Sequence, residues 1–242
     1  MTVIDSLGLL RALPAAKIIG EILVNDKESQ VRQSAAIALG YIGGEDSSPH
    51  LLKAVKDKDA GVRYAAVSSL GQVRPPEAVT TLAEVLETDP ESGMKRSIIA
   101  ALDRMDGAAA VPSVRKLLND PDASVRAMAA KFVGKHKDAG SKAQLLELLK
   151  SPEKNVVMNS AYALGRIGDA SGTSAIVKFA KTEKDTFSKM ALMEAAEAIA
   201  SKETIEIIKN YFADPEQQVK NAARFALMRM KVPLPKPPAK KK

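Results

Sequence analysis

The charged residues of this chain recur in register. An acid stands six positions before a cation in Asp26/Arg32, Asp57/Arg63, Asp89/Lys95, Asp120/Arg126, Glu183/Lys189 and Asp214/Lys220. The same spacing at Ser151/Val157 has lost both charges. A carboxylate column could serve catalysis or ion pairing. Catalysis needs a pocket with a partner group in register, and an acid copied into every segment of a chain does not meet that need. The pairing reading is favoured further by the joint loss at Ser151 and Val157, because losing one partner alone strands a partly desolvated charge. The two columns are therefore expected to meet, within or between units, as a structural ladder of Asp26, Arg32, Asp57, Arg63, Asp89, Lys95, Asp120, Arg126, Asp214 and Lys220. The missing rung predicts that the junction around Ser151/Val157 is the most pliable point of the chain.

Other chemistry is sparse. The chain has no cysteine, which removes disulfides, thiolate metal sites and thiol catalysis together. His50 and His136 are the only histidines. His50 is placed to open a helix, and His136 falls in the column of Ile42, Val73 and Ile167, an apolar column. No phosphate-cradling glycine loop and no Gly-x-Ser-x-Gly elbow is present. The expectation is no catalytic residue, no metal site and no cofactor.

The elements that must position these columns are helices. In residues 31–43, Val31, Ala35, Ala38, Leu39 and Ile42 share one helical face. The small residues Ala35, Ala36 and Ala38 allow close approach of a neighbouring helix, and Gly43-Gly44 is suited to end the helix. The pattern returns with anchors at 31, 62, 94, 125, 156, 188 and 219, a period of 31 or 32 residues. Such a period means stacked units. Each reads as helix A, a turn and helix B. The A helices are predicted over 15–24, 49–56, 77–87, 110–118, 142–150, 174–181 and 203–212, and the B helices over 29–42, 60–73, 92–105, 123–135, 153–167, 185–199 and 216–230. Residues 1–13 read as a half-unit capping the N-terminal end.

Units of about 31 residues with Asp…Val-Arg…Ala-Ala…Ala-Leu-Gly-x-Ile-Gly resemble HEAT repeats of the short, phycobilisome-lyase-like type. The resemblance runs over residues 1–231 and implies an all-α, right-handed α-solenoid of about seven two-helix repeats plus an N-terminal capping helix. It also implies an Asp–Arg ladder and B helices that line the concave side. Its motif specifies fold far more than function, since the family mostly supplies binding surfaces. The HEAT-type di-iron hydroxylases use paired His-Glu motifs, which are missing here. The DNA glycosylases of HEAT-like fold are disfavoured by the lack of Trp and by a mild body charge.

The net charge is +7, but Lys236, Lys240, Lys241 and Lys242 lie in the Pro-rich end, which leaves +3 for residues 1–231. The end, 232–242, is read as a disordered tail, and the basicity of the folded body alone is a weak argument for nucleic acid. No apolar run approaches the ~18 residues of a membrane span, and residues 1–13 lack the pattern of a signal peptide. A cytoplasmic location without a membrane partner is expected.

Three columns at i, i+4 and i+8 of the B helices define the candidate binding face. They hold Tyr41, Tyr64, Arg96, Arg104, Lys131, Lys135, Tyr162 and Arg166, together with Met158, Met190, Phe225 and Arg229. Tyr, Arg and Met are the types that protein interfaces favour. The same residues also fit structural roles: a cation in the last turn complements the helix dipole, and Met and Phe can pack between helices. The leading expectation is a non-enzymatic protein-interaction scaffold that meets a partner with an acidic surface. Nucleic-acid binding through the basic stripe and Lys tail is one alternative. A bilin-lyase-like or chaperone-like subunit is another.

Overall fold

A computed structural model describes residues 3–235. Most of the predicted tail, 236–242, lies outside the described residues. Fifteen α-helices and no strand occur among the described residues, so the all-α expectation holds. By its contacts the chain divides into two compact units, Met1–Lys116 and Leu117–Lys242.

In the first unit, α1 (Val3–Leu9) is the capping helix. It is followed by the pairs α2/α3 (Ala16–Asn25, Ser29–Ile42), α4/α5 (Ser48–Ala54, Ala60–Val73) and α6/α7 (Ala78–Thr88, Ser92–Arg104), then α8 (Val111–Lys116). The second unit opens with a 3-10 turn, Leu117–Asn119, and α9 (Ala123–Lys135). It continues with α10/α11 (Lys142–Leu148, Lys154–Arg166), α12/α13 (Thr173–Ala180, Thr186–Ile199) and α14/α15 (Lys202–Tyr211, Gln217–Arg229). The B helices are the odd-numbered ones from α3 to α15. Every predicted B helix ends within one residue of the observed one. The predicted A helix over 110–118 is instead built from short pieces, 3-10 at Ala108–Ala110, then α8, then the 3-10 turn at Leu117–Asn119.

Each B helix starts where an aspartate or glutamate leaves the extended region, and in α5, α9 and α13 that side chain caps the helix. Asp59, Asp122 and Asp185 accept from the backbone N–H of Val62, Val125 and Ser188. The helices then pack B on B: α3 on α5 and α5 on α7 in the first unit, and α9 on α11, α11 on α13 and α13 on α15 in the second. Alanines carry this contact; Ala35, Ala36, Ala66, Ala129, Ala130, Ala161, Ala163, Ala195 and Ala196 are all fully buried. The abundance of alanine suits this contact, because small side chains let two helices approach closely. The glycine repeated near the end of the B helices serves the same end. Gly40, Gly71, Gly134 and Gly165 lie inside or at the last turn of their helices, against the next one, whereas the turn itself is made by Gly43 and Gly168 at φ +69° and +86°.

The charged columns have a two-part geometry. Each acid first makes a tight turn ahead of its own B helix: Asp26, Asp57, Asp89, Asp120 and Asp214 accept from the backbone N–H two residues on. Nη1 of the arginine six residues later ties the same turn, donating to the carbonyls of Asp26 and Lys27 from Arg32, of Asp57 and Lys58 from Arg63, and of Asp120 and Pro121 from Arg126. The rest of the guanidinium reaches forward. Arg32 donates from Nε and Nη2 to both oxygens of Asp57 at 2.9 and 2.8 Å. Arg63 lies 4.0 Å from Asp89 and 3.5 Å from Glu91, and Lys189 is 2.7 Å from Asp214. These ion pairs therefore run between successive repeats, whereas Arg32, Arg63 and Arg126 hydrogen-bond the acid of their own repeat through its backbone carbonyl. Within their units, Lys95 and Lys220 are half-buried and Asp120 is buried.

This register changes the meaning of Ser151 and Val157. By the register of Arg32 with Asp57 and of Lys189 with Asp214, they belong to two rungs: Ser151 takes the place of the acid for Arg126, and Val157 that of the cation for Glu183. Each orphan has found a substitute nearby. Glu153 accepts from the Ser151 hydroxyl and, at 3.2 Å, from Nη2 of Arg126; the Ser151 hydrogen bond above all, with burial opposing, holds its carboxyl below the usual glutamate range. Lys154 pairs with Glu183. With both rungs replaced, backbone amides of α11 are expected to exchange with deuterium no faster than those of α9 and α13. Replacing Glu153 and Lys154 together by Ala is expected to speed exchange in the first two turns of α11. Faster exchange of α11 in the unaltered protein would restore the pliable-junction expectation.

Candidate functional site

The B helices place the eight predicted contact residues in two groups. In the first unit, Tyr41 stands in the last turn of α3 and is 46% exposed. Tyr64, on α5, is half-buried with its hydroxyl against Gly93 of α7; a Cβ there would sit 2.4 Å from the oxygen. Burial, helped by Glu91 and Asp89, pushes the Tyr64 hydroxyl pKa up. Arg96, also on α7, is half-buried close to the same glycine. Arg104 is exposed and lies over Gly71 of α5, and it makes no ion pair among the described residues.

In the second unit, Lys131 on α9 reaches across to Glu194 on α13, at 2.9 Å. Lys135 is half-buried at the end of α9. Tyr162 and Arg166, one turn apart on α11, line a hollow of about 480 Å³ with Lys137, Glu194, Glu197 and Arg229. Arg166 is exposed, whereas Arg229 forms a two-point ion pair with Glu197 at 2.7 and 2.6 Å. That pair raises the Arg229 pKa above its already high value. The basic stripe read from the B-helix columns is thus partly neutralised: Lys131 and Arg229 are matched by acids, and Arg166 is not.

Next to this polar hollow lies a second one of about 600 Å³, lined by Phe187, Met190, Ala191 and Met193 of α13 and by Ala222, Phe225 and Ala226 of α15. Glu194, Glu197 and Arg229 border both hollows. Three large apolar side chains here face solvent: Phe187 is 83% exposed, Phe225 57% and Met190 39%. Water contact on that scale is unfavourable by about 25 cal/mol per Å², which makes this cluster the candidate for a binding surface. Met158, from the same sequence columns, belongs instead to the core at 7% exposure, among Ala161, Ile176 and Leu192. The columns miss Phe187, Glu197 and Lys137. Phe187 was within reach, since it sits three residues before Met190 and so on the same helical face. Glu197 shows its role only once α13 and α15 are side by side.

His50, on α4, lies 3.1 Å from the Asp46 carbonyl and 3.7 Å from Glu21. The His136 ring packs on Phe132, with centroids 4.6 Å apart. Among the described residues no group of three or more His, Asp or Glu could hold a metal ion, and no helix is long and apolar enough to cross a membrane.

Comparison with known proteins places this geometry in a family. HEAT repeats match residues 16–103, 82–163 and 143–228, which together span most of the chain. The bilin biosynthesis protein PecF of Nostoc sp. strain PCC 7120 is 31% identical over 100 residues, which cover 36% of this chain and 58% of PecF. The chain thus spans less than two thirds of the curated relative it matches. Among solved structures, YibA of E. coli superposes with a TM-score of 0.68 at 21% identity, covering 93% of this chain and 85% of YibA. An engineered protein superposes at 0.56 with 20% identity, covering 94% of this chain and 73% of the other. These likenesses show the fold: an α-solenoid of paired helices, as the 31-residue period implies. By the extent of the repeat match and the register of its helices, the chain belongs to the HEAT-repeat proteins, of the short type with a relative in bilin biosynthesis.

Proposed function

We propose that this protein is a non-enzymatic scaffold that binds a partner protein on the face formed by its B helices. The observation that carries the reading is the exposure of Phe187, Met190 and Phe225 around one hollow. A face with no task would place Lys, Glu and Gln there. HEAT solenoids use such extended faces for binding. Tyr41, Tyr64, Arg96 and Arg104 in the first unit and Lys131, Lys135, Tyr162 and Arg166 in the second supply the polar contacts. The cations without a matching acid, Arg104 and Arg166, meet an acidic surface of the partner.

The test is affinity capture from native lysate, with and without nuclease, using the full chain and an Arg104→Glu/Arg166→Glu variant. Both arginines are exposed, so the variant is expected to fold normally and to retain at least tenfold less of a nuclease-resistant protein partner. Equal retention removes the basic residues from the binding face. Material lost on nuclease treatment supports nucleic-acid binding instead.

A second reading has one observation in its favour, the 31% identity to PecF. In it, this chain works as a subunit in bilin biosynthesis or attachment. It predicts that captured partners include a pigment-bearing protein, seen by visible absorbance of the eluate. A colourless eluate from a pigmented lysate speaks against it.

A further inference from the structure

The two adjoining hollows of the second unit differ in chemistry, and the difference describes a ligand. The larger is walled by Phe187, Met190 and Phe225 over an alanine floor. The smaller is polar, and its two acids are already taken: Glu194 by Lys131 at 2.9 Å and Glu197 by Arg229 at 2.6 Å. Two cations in it, Lys137 and Arg166, make no ion pair among the described residues. Both are exposed. An unmatched guanidinium beside an aromatic ring and the ammonium of Lys137 offers two-point hydrogen bonding to a planar carboxylate.

We propose that the B-helix face of the second unit is a docking site for a short segment of a partner protein that carries a bulky apolar side chain and, within a few residues, an aspartate or glutamate. This rests on the scaffold reading above and adds the chemistry of the segment. The apolar side chain fills the hollow between Phe187, Met190 and Phe225, and the carboxylate meets Arg166 and Lys137. The paired charges Glu194/Lys131 and Glu197/Arg229 form the border between the hollows. Being matched already, they neither attract nor repel a charged segment strongly. A basic segment is disfavoured because it would place a third cation beside Arg166 and Lys137 with no acid left to meet it. Because the two hollows share Glu194, Glu197 and Arg229, the two side chains belong to residues within about four positions of each other, one turn of helix.

Selection of phage-displayed random dodecapeptides on the full chain tests this. Enriched peptides are expected to hold Phe, Leu, Ile, Met or Trp within about four positions of Asp or Glu. The best of them, synthesised with a fluorescent label, is expected to bind Phe225→Asp and Arg166→Glu at least tenfold more weakly. Changing its acid to Lys is expected to recover affinity for the Arg166→Glu protein. Both positions are exposed, and helical circular dichroism checks that the variants are folded. Enriched peptides with no preference for an acid, or indifferent to Arg166→Glu, overturn the inference and leave the scaffold reading standing. So do peptides weakened by Tyr64→Ala or Arg104→Glu in the first unit but not by Phe225→Asp. Absence of enrichment over an unrelated protein of equal charge overturns the docking site, while the lysate capture decides the scaffold reading separately. An oligonucleotide that binds through Arg166 but not Phe225, with no peptide enriched, overturns it in favour of phosphate recognition.

Discussion

Replacing Asp57 by Ala is expected to lower stability by about 2–3 kcal/mol, read from urea unfolding. The side chain of Arg32 is 4% exposed and that of Asp57 14%. Removing the acid leaves a buried guanidinium with two of its donors unmatched, which is the costly way to break a buried pair; such losses run to ~3–5 kcal/mol for fully buried pairs and less where one partner is partly wet. Asp57→Asn separates the two duties of the residue. It retains an oxygen for the Asp59 N–H but not the charge, so about half the loss is expected. The pH dependence has a definite sign. Burial works against ionisation of Asp57, but the hydrogen bonds from Arg32 and from the Asp59 backbone outweigh it, and its pKa in the folded chain lies below the ordinary 3.8. Its contribution is therefore complete above that ordinary value and is lost as pH falls through the lower, folded one. If Asp57→Ala and the unaltered protein converge in stability at neutral pH rather than in acid, the pair is not what holds these repeats together.

The second large effect is expected from a single methyl group. A Cβ on Gly165 would lie 2.6 Å from the backbone carbon of Ala198 and 2.6 Å from the nitrogen of Ile199. Neither can swing aside as a side chain does, so α11 and α13 would have to part. Overpacking of this kind costs about 1–3 kcal/mol, and the better helix propensity of Ala returns at most ~1 kcal/mol. A net loss of about 2 kcal/mol is expected for Gly165→Ala. Gly71→Ala is the internal comparison. There the nearest atoms are Nη1 of Arg104 at 3.0 Å, a flexible end, and Ala101 at 3.2 Å. Propensity and crowding then nearly cancel, within ~0.5 kcal/mol. Equal effects at the two positions would mean that helix spacing does not decide the role of this glycine. Because α13 also carries Phe187 and Met190, Gly165→Ala is expected to weaken peptide binding as well.

Much of the architecture is legible in the sequence because the forces that set it act at short range and repeat. The apolar face of residues 31–42, the aspartate turn before it and the glycine after it are each local, and seven copies remove the ambiguity of one. What the columns hide is partnership. The acid and the cation six residues apart look like a pair, yet their ion-pair partners lie about 25 residues away, in the next repeat. The loss of charge at Ser151 and Val157 therefore reads as one event in the sequence but belongs to two rungs. The candidate site is hidden for the same reason. Met158 and Met190 occupy equivalent places in the pattern, but the first is covered and the second is exposed at a hollow. Which cations remain unmatched depends on Glu194 and Glu197, and sequence columns do not say which helices those acids will face.

The forward reach of the arginine also bears on how such a chain can lengthen or shorten over generations. Arg32 and Arg63 contact acids 25 and 26 residues ahead, in the turn between the two helices of the repeat that follows. The rule that matches them refers to the next repeat in line and to no particular one. An in-frame duplication or deletion of one period therefore returns each cation to an acid of the same kind, with the turn that holds it already built. Glu153 and Lys154 show that the match survives when the partner shifts a few places along the chain. New repeats can thus be inherited as copies and drift afterwards, and the face they add is free to change its side chains for a new partner.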